Sequence, residues 1–136
     1  MSMHTLAVAA NTYVRTEIQS RSPIELVVML YDGADRYLSQ AHDAIERHDG
    51  RAKREAISGA LAIVMELQNT LDMEAGGEVA ASLDSLYGFV NERLIDANRQ
   101  DDAAAVDQAI RVLTPLREAW IQLARESVAS TAGEPR

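Results

Sequence analysis

Residues 20–33 read SRSPIELVVMLYDG, and the fold turns on whether the helix that starts in this stretch survives to its end. Ser22, Pro23 and Glu25 make a strong start signal. A serine oxygen can accept from the free N–H groups of the first turn, a proline suits the first helical position where no N–H is needed, and a glutamate three residues after the serine completes a capping box. Six apolar residues, Leu26 to Tyr31, then run together, followed by Asp32-Gly33, a dipeptide common in turns. Spacing decides the matter. Val27, Ala34 and Ala41 form one stripe, Leu30, Tyr37 and Ala44 a second, and Ile24, Tyr31, Leu38 and Ile45 a third beside them. Glu25, Asp32, Ser39 and Glu46 form the opposite, polar row. The stripes keep phase straight across Asp32-Gly33, which a turn would have destroyed, so the helix is expected to run to about His48. Gly33 then lies on the flank of the core face at a cost of about 1 kcal/mol relative to Ala. Close packing by a neighbouring helix is the expected reason, and a partner's backbone the alternative.

Three more helical patterns follow. The second is expected from Ala52 to Met73, with Ile57, Leu61, Val64, Leu67 and Leu71 inward and Ala75-Gly76-Gly77 as its break. The third, from Glu78 to about Asn98, places Val79, Leu83, Leu86, Val90, Leu94 and Ala97 inward. Asp101 and Asp102 then offer capping oxygens to a fourth helix, whose stripes are Val106, Leu113 and Trp120 beside Ala109, Leu116 and Leu123. Pro115 falls outside those stripes and is expected to kink this helix rather than end it. Short breaks put consecutive helices antiparallel, so the expected fold is all-α: an up-down four-helix bundle over residues 22–126. Residues 1–21 would form an N-terminal strap across it, and the Ser-, Thr-, Gly- and Pro-containing stretch 127–136 a disordered tail.

Composition agrees and narrows the function. At 136 residues the chain is one domain's worth, and its 47% apolar content, with only 4% aromatics, rests on the small and branched aliphatics that suit packed helices. No apolar run is long enough to span a bilayer, and the N-terminus lacks a basic region leading into a hydrophobic segment and cleavage site; a soluble, cytoplasmic protein is expected. Without cysteine there is no disulfide, thiolate ligand or thiol nucleophile. A net charge of −8 argues against nucleic acid or anionic membrane as partners; residues 1–22, with Arg15 and Arg21 against Glu17, are +1 and the remainder −9.

Catalytic chemistry is not expected either. Of His4, His42 and His48, no two are spaced to share a helix face, although His42 and Glu46 do. A carboxylate-bridged metal site in a bundle needs inward Glu-x-x-His pairs, and the inward rows here are hydrocarbon. No glycine-rich phosphate loop follows a strand. The expectation is a non-enzyme with no metal and no cofactor.

What remains unexplained is an excess of apolar side chains. Val28 and Met29 lie on rows that later present Asp35, His42, Arg36 and Asp43, and Ile63, Met65, Phe89, Ile95 and Ile121 are surplus in the same way. Contiguous surplus marks a binding site or is covered by something. The segment HTLAVAANTYVRTEI, residues 4–18, offers an internal cover, with Tyr13 and Ile18 as anchors. Either it is a fixed strap completing the core, or it is a displaceable one over a groove that accepts another protein's amphipathic helix.

Several short motifs in order carry a resemblance along Asn11 to Leu123. They are Tyr13 with Ile18; Ser22-Pro23 with Glu25-Leu26; Met29-Leu30-Tyr31-Asp32-Gly33; Leu71-Asp72; Gly77-Glu78-Val79-Ala80; Leu86-Tyr87; Arg93-Leu94; Ala97-Asn98; and Ala119-Trp120. Together they resemble the FliS family of bacterial flagellar secretion chaperones, with Ser20-Arg21 in place of a frequent Thr-Ala and Gly88 in place of a frequent Asp. The resemblance implies a helical bundle that binds the C-terminal segment of flagellin in the cytosol, prevents premature polymerisation, and presents the client to the export machinery without ATP. The expected anchors are Tyr13 and Ile18 on the strap. Val28, Met29, Tyr31, Ile63, Met65 and Phe89 are the expected lining of a single client groove, on a monomer or weak dimer. The alternative reading is a non-enzymatic helical module that self-associates or sequesters a different partner.

Overall fold

A computed structural model describes residues 23–133 and their side chains as far as Val128. Four helices follow in chain order: α1 (Pro23–Glu46), α2 (Gly50–Asn69), α3 (Met73–Gln100) and α4 (Ala103–Gly133). Each packs on the next and α4 closes against α1, which is the expected four-helix arrangement. The N-terminal strap with Tyr13 and Ile18, and the Ser22 cap, lie outside the described residues.

Helix α1 runs through Asp32-Gly33 as its stripes require, burying Ala34, Leu38, Ala41, Ala44 and Ile45. The reason for Gly33 is a neighbouring helix. A Cβ there would stand 2.9 Å from Ile63 Cδ1 of α2, and in the reciprocal direction a Cβ on Gly59 of α2 would meet the Tyr37 ring at 2.6 Å. Each helix thus receives a large side chain of the other over a glycine. Ala34, Ala41 and Ala60, all fully buried, keep the two backbones close.

The turns that reverse the chain are built from local hydrogen bonds. At the end of α1, His48 takes the left-handed conformation (φ 58°), its N–H donates to Ile45 O at 3.1 Å, and the Asp49 N–H donates to Ala44 O at 2.9 Å. This double bond back to the last turn satisfies carbonyls that a helix end leaves free. Asp49 at once caps α2, its Oδ1 accepting from the Ala52 N–H at 3.1 Å. The α3–α4 turn repeats the scheme: Asp101 is left-handed (φ 53°), the Asp102 N–H donates to Ala97 O at 3.2 Å, and Asp102 Oδ1 accepts from the Ala104 and Ala105 N–H groups. Of the two aspartates expected to cap α4, only Asp102 does so; Asp101 closes α3. In an up-down bundle both turns lie at one end, and Lys53 of α2 ties them together. Its ammonium, almost wholly buried, donates to Asn98 O at 2.9 Å and to Asp101 Oδ1 at 2.5 Å. The hydrogen bond and charge of Lys53 hold the Asp101 carboxyl below the usual carboxylate range.

Three boundaries differ from expectation, two of them for reasons the local hydrogen bonds and backbone angles supply. Helix α2 stops at Asn69, not near Met73. Thr70 Oγ1 donates to Leu67 O at 2.7 Å, and Asp72 Oδ1 accepts from the Ala75 N–H at 2.9 Å, so the reversal is made at residues 70–72 by a cap. Gly76-Gly77 is not the break between helices but a kink inside α3: Gly77 sits at φ 51°, ψ −127°, where only glycine is at ease. At the other end of the chain α4 continues through Pro115 to Gly133, past residue 126 where the bundle was expected to give way to a tail.

Beyond the kink, α3 presents a different face from the one expected. Its buried residues are Ala80, Tyr87, Val90, Leu94 and Ala97, a seven-residue row with its companion. Val79 and Leu86, expected inward, lie about 100° round the helix from Ala80 and Tyr87, and are exposed. Leu123 of α4, also expected inward, is exposed too.

Candidate functional site

The residues expected to line one groove do not come together. Tyr31 is an interior residue, 1% exposed, and its hydroxyl meets the Tyr87 hydroxyl at 2.5 Å across the middle of the bundle. Burial, followed by the facing hydroxyl, pushes the Tyr31 phenol above its ordinary range, and burial raises Tyr87 as well, so both stay neutral. Ile63 is likewise buried, seated on Gly33. Val28 lies four residues before Asp32, which pairs with Arg117 of α4 at 2.6 Å, and so borders the α1–α4 seam. Met29, four residues before Gly33, borders the α1–α2 seam. Met65, three residues before Gln68, borders the α2–α3 seam, where Gln68 bonds Asp84 and Asn91. Val28, Met29 and Met65 are half-buried, each on a different seam, and only Phe89 stands well out.

A contiguous apolar face exists elsewhere, on α3 and α4. Val79 is 69% exposed, Leu123 46%, Phe89 43% and Leu86 37%. Val79 and Leu86 share one row of α3, two turns apart. The register across to α4 follows from Arg93, whose guanidinium reaches Gln108 Oε1. Stepping equally back along α3 and forward along α4 from that contact brings Leu123 level with Glu78 and Val79. Half-buried Leu83, Leu116 and Trp120 pack on the core beneath this row and join it to the interior. At its upper limit the Arg93 guanidinium lies 5.8 Å from the centre of the Phe89 ring and is anchored by Asp96. Sequence reasoning missed the row because seven-residue counting alone does not tell a stripe from its neighbour. The Tyr31–Tyr87 contact marks which face of α3 turns inward.

A cavity between α1 and α4, bounded by Tyr31, Asp35, Leu113, Thr114 and Arg117, has room for about one water. Among the described residues no three acidic or histidine side chains gather closely enough to hold a metal ion, and no helix is long and apolar enough to cross a membrane. What the α3–α4 face can do is bury another apolar surface.

Residues 6–127 match the family model described as flagellar protein FliS. The chain is similar to the flagellar secretion chaperone FliS of Salmonella typhimurium, 39% identical over 84% of this chain and 85% of that protein. It is also similar to FliS of Campylobacter jejuni, 37% identical over 82% and 88%, and to FliS of Vibrio cholerae, 33% identical over 89% of each chain.

Proposed function

The chain belongs to the FliS family of flagellar secretion chaperones, and from that premise we propose that it binds the C-terminal segment of flagellin in the cytosol, keeps it from polymerising, and helps deliver it to the flagellar export machinery. No chemical step is involved in this reading. Its work is coupled folding and binding: a disordered client segment gives up chain entropy, about 2–5 kcal/mol or more, and recovers it by burying apolar side chains. The observation that supports it is the exposed row of Val79, Leu86, Phe89 and Leu123 on α3 and α4. Four such contacts, at about 25 cal/mol per Å² of apolar surface buried, offset the ordering cost with a surplus small enough to leave the complex releasable.

Titration calorimetry with the last forty or so residues of the organism's flagellin tests the proposal. A saturable one-to-one isotherm with a negative heat-capacity change is expected, the mark of apolar burial. Absence of binding at client concentrations of about 100 μM, where a complex worth about 5.5 kcal/mol would be half-formed, sinks it.

A further inference from the structure

The two ends of the bundle treat charge differently. At the end holding the α1–α2 and α3–α4 turns, cations and carboxylates neutralise one another: Arg47 with Asp49, Arg51 with Glu55, Lys53 with Asp101, and Arg99 with Asp96. At the opposite end Asp72, Glu74, Glu78, Asp84 and Glu126 are all exposed, and none of them forms an ion pair with a described residue. Asp72 and Asp84 accept only from an amide N–H and an amide side chain, and Glu126 from Gln122. Among the described cations toward this end, Arg117 is committed to Asp32, which leaves Arg36 on α1 and Arg125 on α4. Glu78 adjoins Val79, and Glu126 lies one turn beyond Leu123. Two carboxylates without an ion pair among the described residues, Glu78 and Glu126, therefore border the apolar row, while Asp84 faces α2.

We propose that this face selects its occupant by charge as well as by grease: it docks an amphipathic helix of another protein that carries Lys or Arg along the border of its apolar stripe. The inference rests on the client-binding reading above and names the chemistry of the segment that is bound. An apolar row alone accepts any amphipathic helix of fitting shape. A carboxylate border beside it repels acidic helices, attracts basic ones during the encounter, and so supplies the discrimination. Because these carboxylates are exposed, their reach is about 10 Å at 0.1 M salt and about 3 Å at 1 M, so the selection fades as salt rises.

Two synthetic helices of about 18 residues, long enough to cover the row, test this with the full-length protein. They share one apolar stripe; one is bordered by Lys and the other by Glu. Fluorescence anisotropy is read at about 0.05 M and about 0.5 M salt. The Lys-bordered helix is expected to bind about tenfold tighter at low salt, or 1.4 kcal/mol, with the gap shrinking to about twofold at high salt. Glu78→Lys with Glu126→Lys is expected to reverse the preference. Equal affinities at low salt overturn the proposal, as does a preference for Lys that survives the double reversal. So does a salt-sensitive dimer, seen in sedimentation, that Leu123→Asp abolishes, because the occupant is then a second copy. The flagellin segment run alongside separates the two readings. If it binds while the synthetic helices go undiscriminated, only the charge selection fails. If it does not bind while the Lys helix follows Glu78 and Glu126, the charge selection stands and the flagellin assignment falls.

Discussion

Binding of flagellin's C-terminal segment is expected to weaken about 100-fold, or 2.7 kcal/mol, in the double variant Val79→Asp, Leu123→Asp, with no loss of thermal stability beyond about 1 kcal/mol. Both side chains are exposed in the free protein, so removing them leaves no cavity. In the complex each would place a carboxylate against the client's apolar stripe. Losing one buried aliphatic side chain costs about 1.5–3 kcal/mol, and an unpaired charge in its place adds to that. Circular dichroism and urea unfolding read the first half of the expectation, and calorimetry the second. Unchanged affinity would show that the client docks elsewhere on the bundle, for instance along the seams bordered by Met29 and Met65.

The second large effect concerns the scaffold. Leu94→Ala is expected to lower the free energy of unfolding by about 3–4 kcal/mol, a large share of the 5–15 kcal/mol typical of a domain. Leu94 is fully buried in the α3 row, with Val90 and Ala97 beside it and Val64 and Val106 in the same core. Close-packed helices relax only partly around a lost isobutyl group, so the cavity term adds to the transfer term. The midpoint of thermal unfolding should fall by about 10 °C, and the denaturant slope should not change. A loss under about 1 kcal/mol would mean that α3 is rotated away from the packing described.

Much of this architecture is legible in the residues alone, and the parts that are not fail for physical reasons. Ser22-Pro23 and the unbroken stripes of α1 identify a helix through Asp32-Gly33, because period and phase are properties of a single element. Gly33 is readable as a close approach, but not as the seat of Ile63, since the partner's register is a tertiary fact. The α2–α3 turn goes astray because Gly76-Gly77 is the louder signal. Asp72 is a quieter one that wins because its oxygen satisfies an N–H. The candidate site suffers most. Tyr31 reads both as a member of an inward stripe and as a groove residue, and only the hydroxyl of Tyr87, 56 residues away, decides for the core. Val79, Leu86 and Leu123 read as core, but α3 turns Ala80 and Tyr87 inward in place of Val79 and Leu86, and Leu123 of α4 is exposed level with Val79. The family resemblance, carried by motifs over most of the chain, reads correctly where the geometry of the groove does not, because membership depends on many weakly informative positions and a binding face on a few exact rotations.

The turns at residues 47–49, 70–72 and 101–102 bear on how fast the protein matures. Neighbours in sequence are neighbours in space, so most of the packing needs no search over long chain separations. Topologies of this low contact order fold in microseconds to milliseconds. The exception is the closing of α4 on α1, which the Asp32–Arg117 and His42–Asp107 pairs must bring together from opposite ends of the described chain. That ring closure is then the step expected to limit the rate, and Trp120 on α4, the chain's sole tryptophan, is placed to report it in a stopped-flow trace. A burial signal from Trp120 that precedes formation of the α1–α2 hairpin would contradict this order.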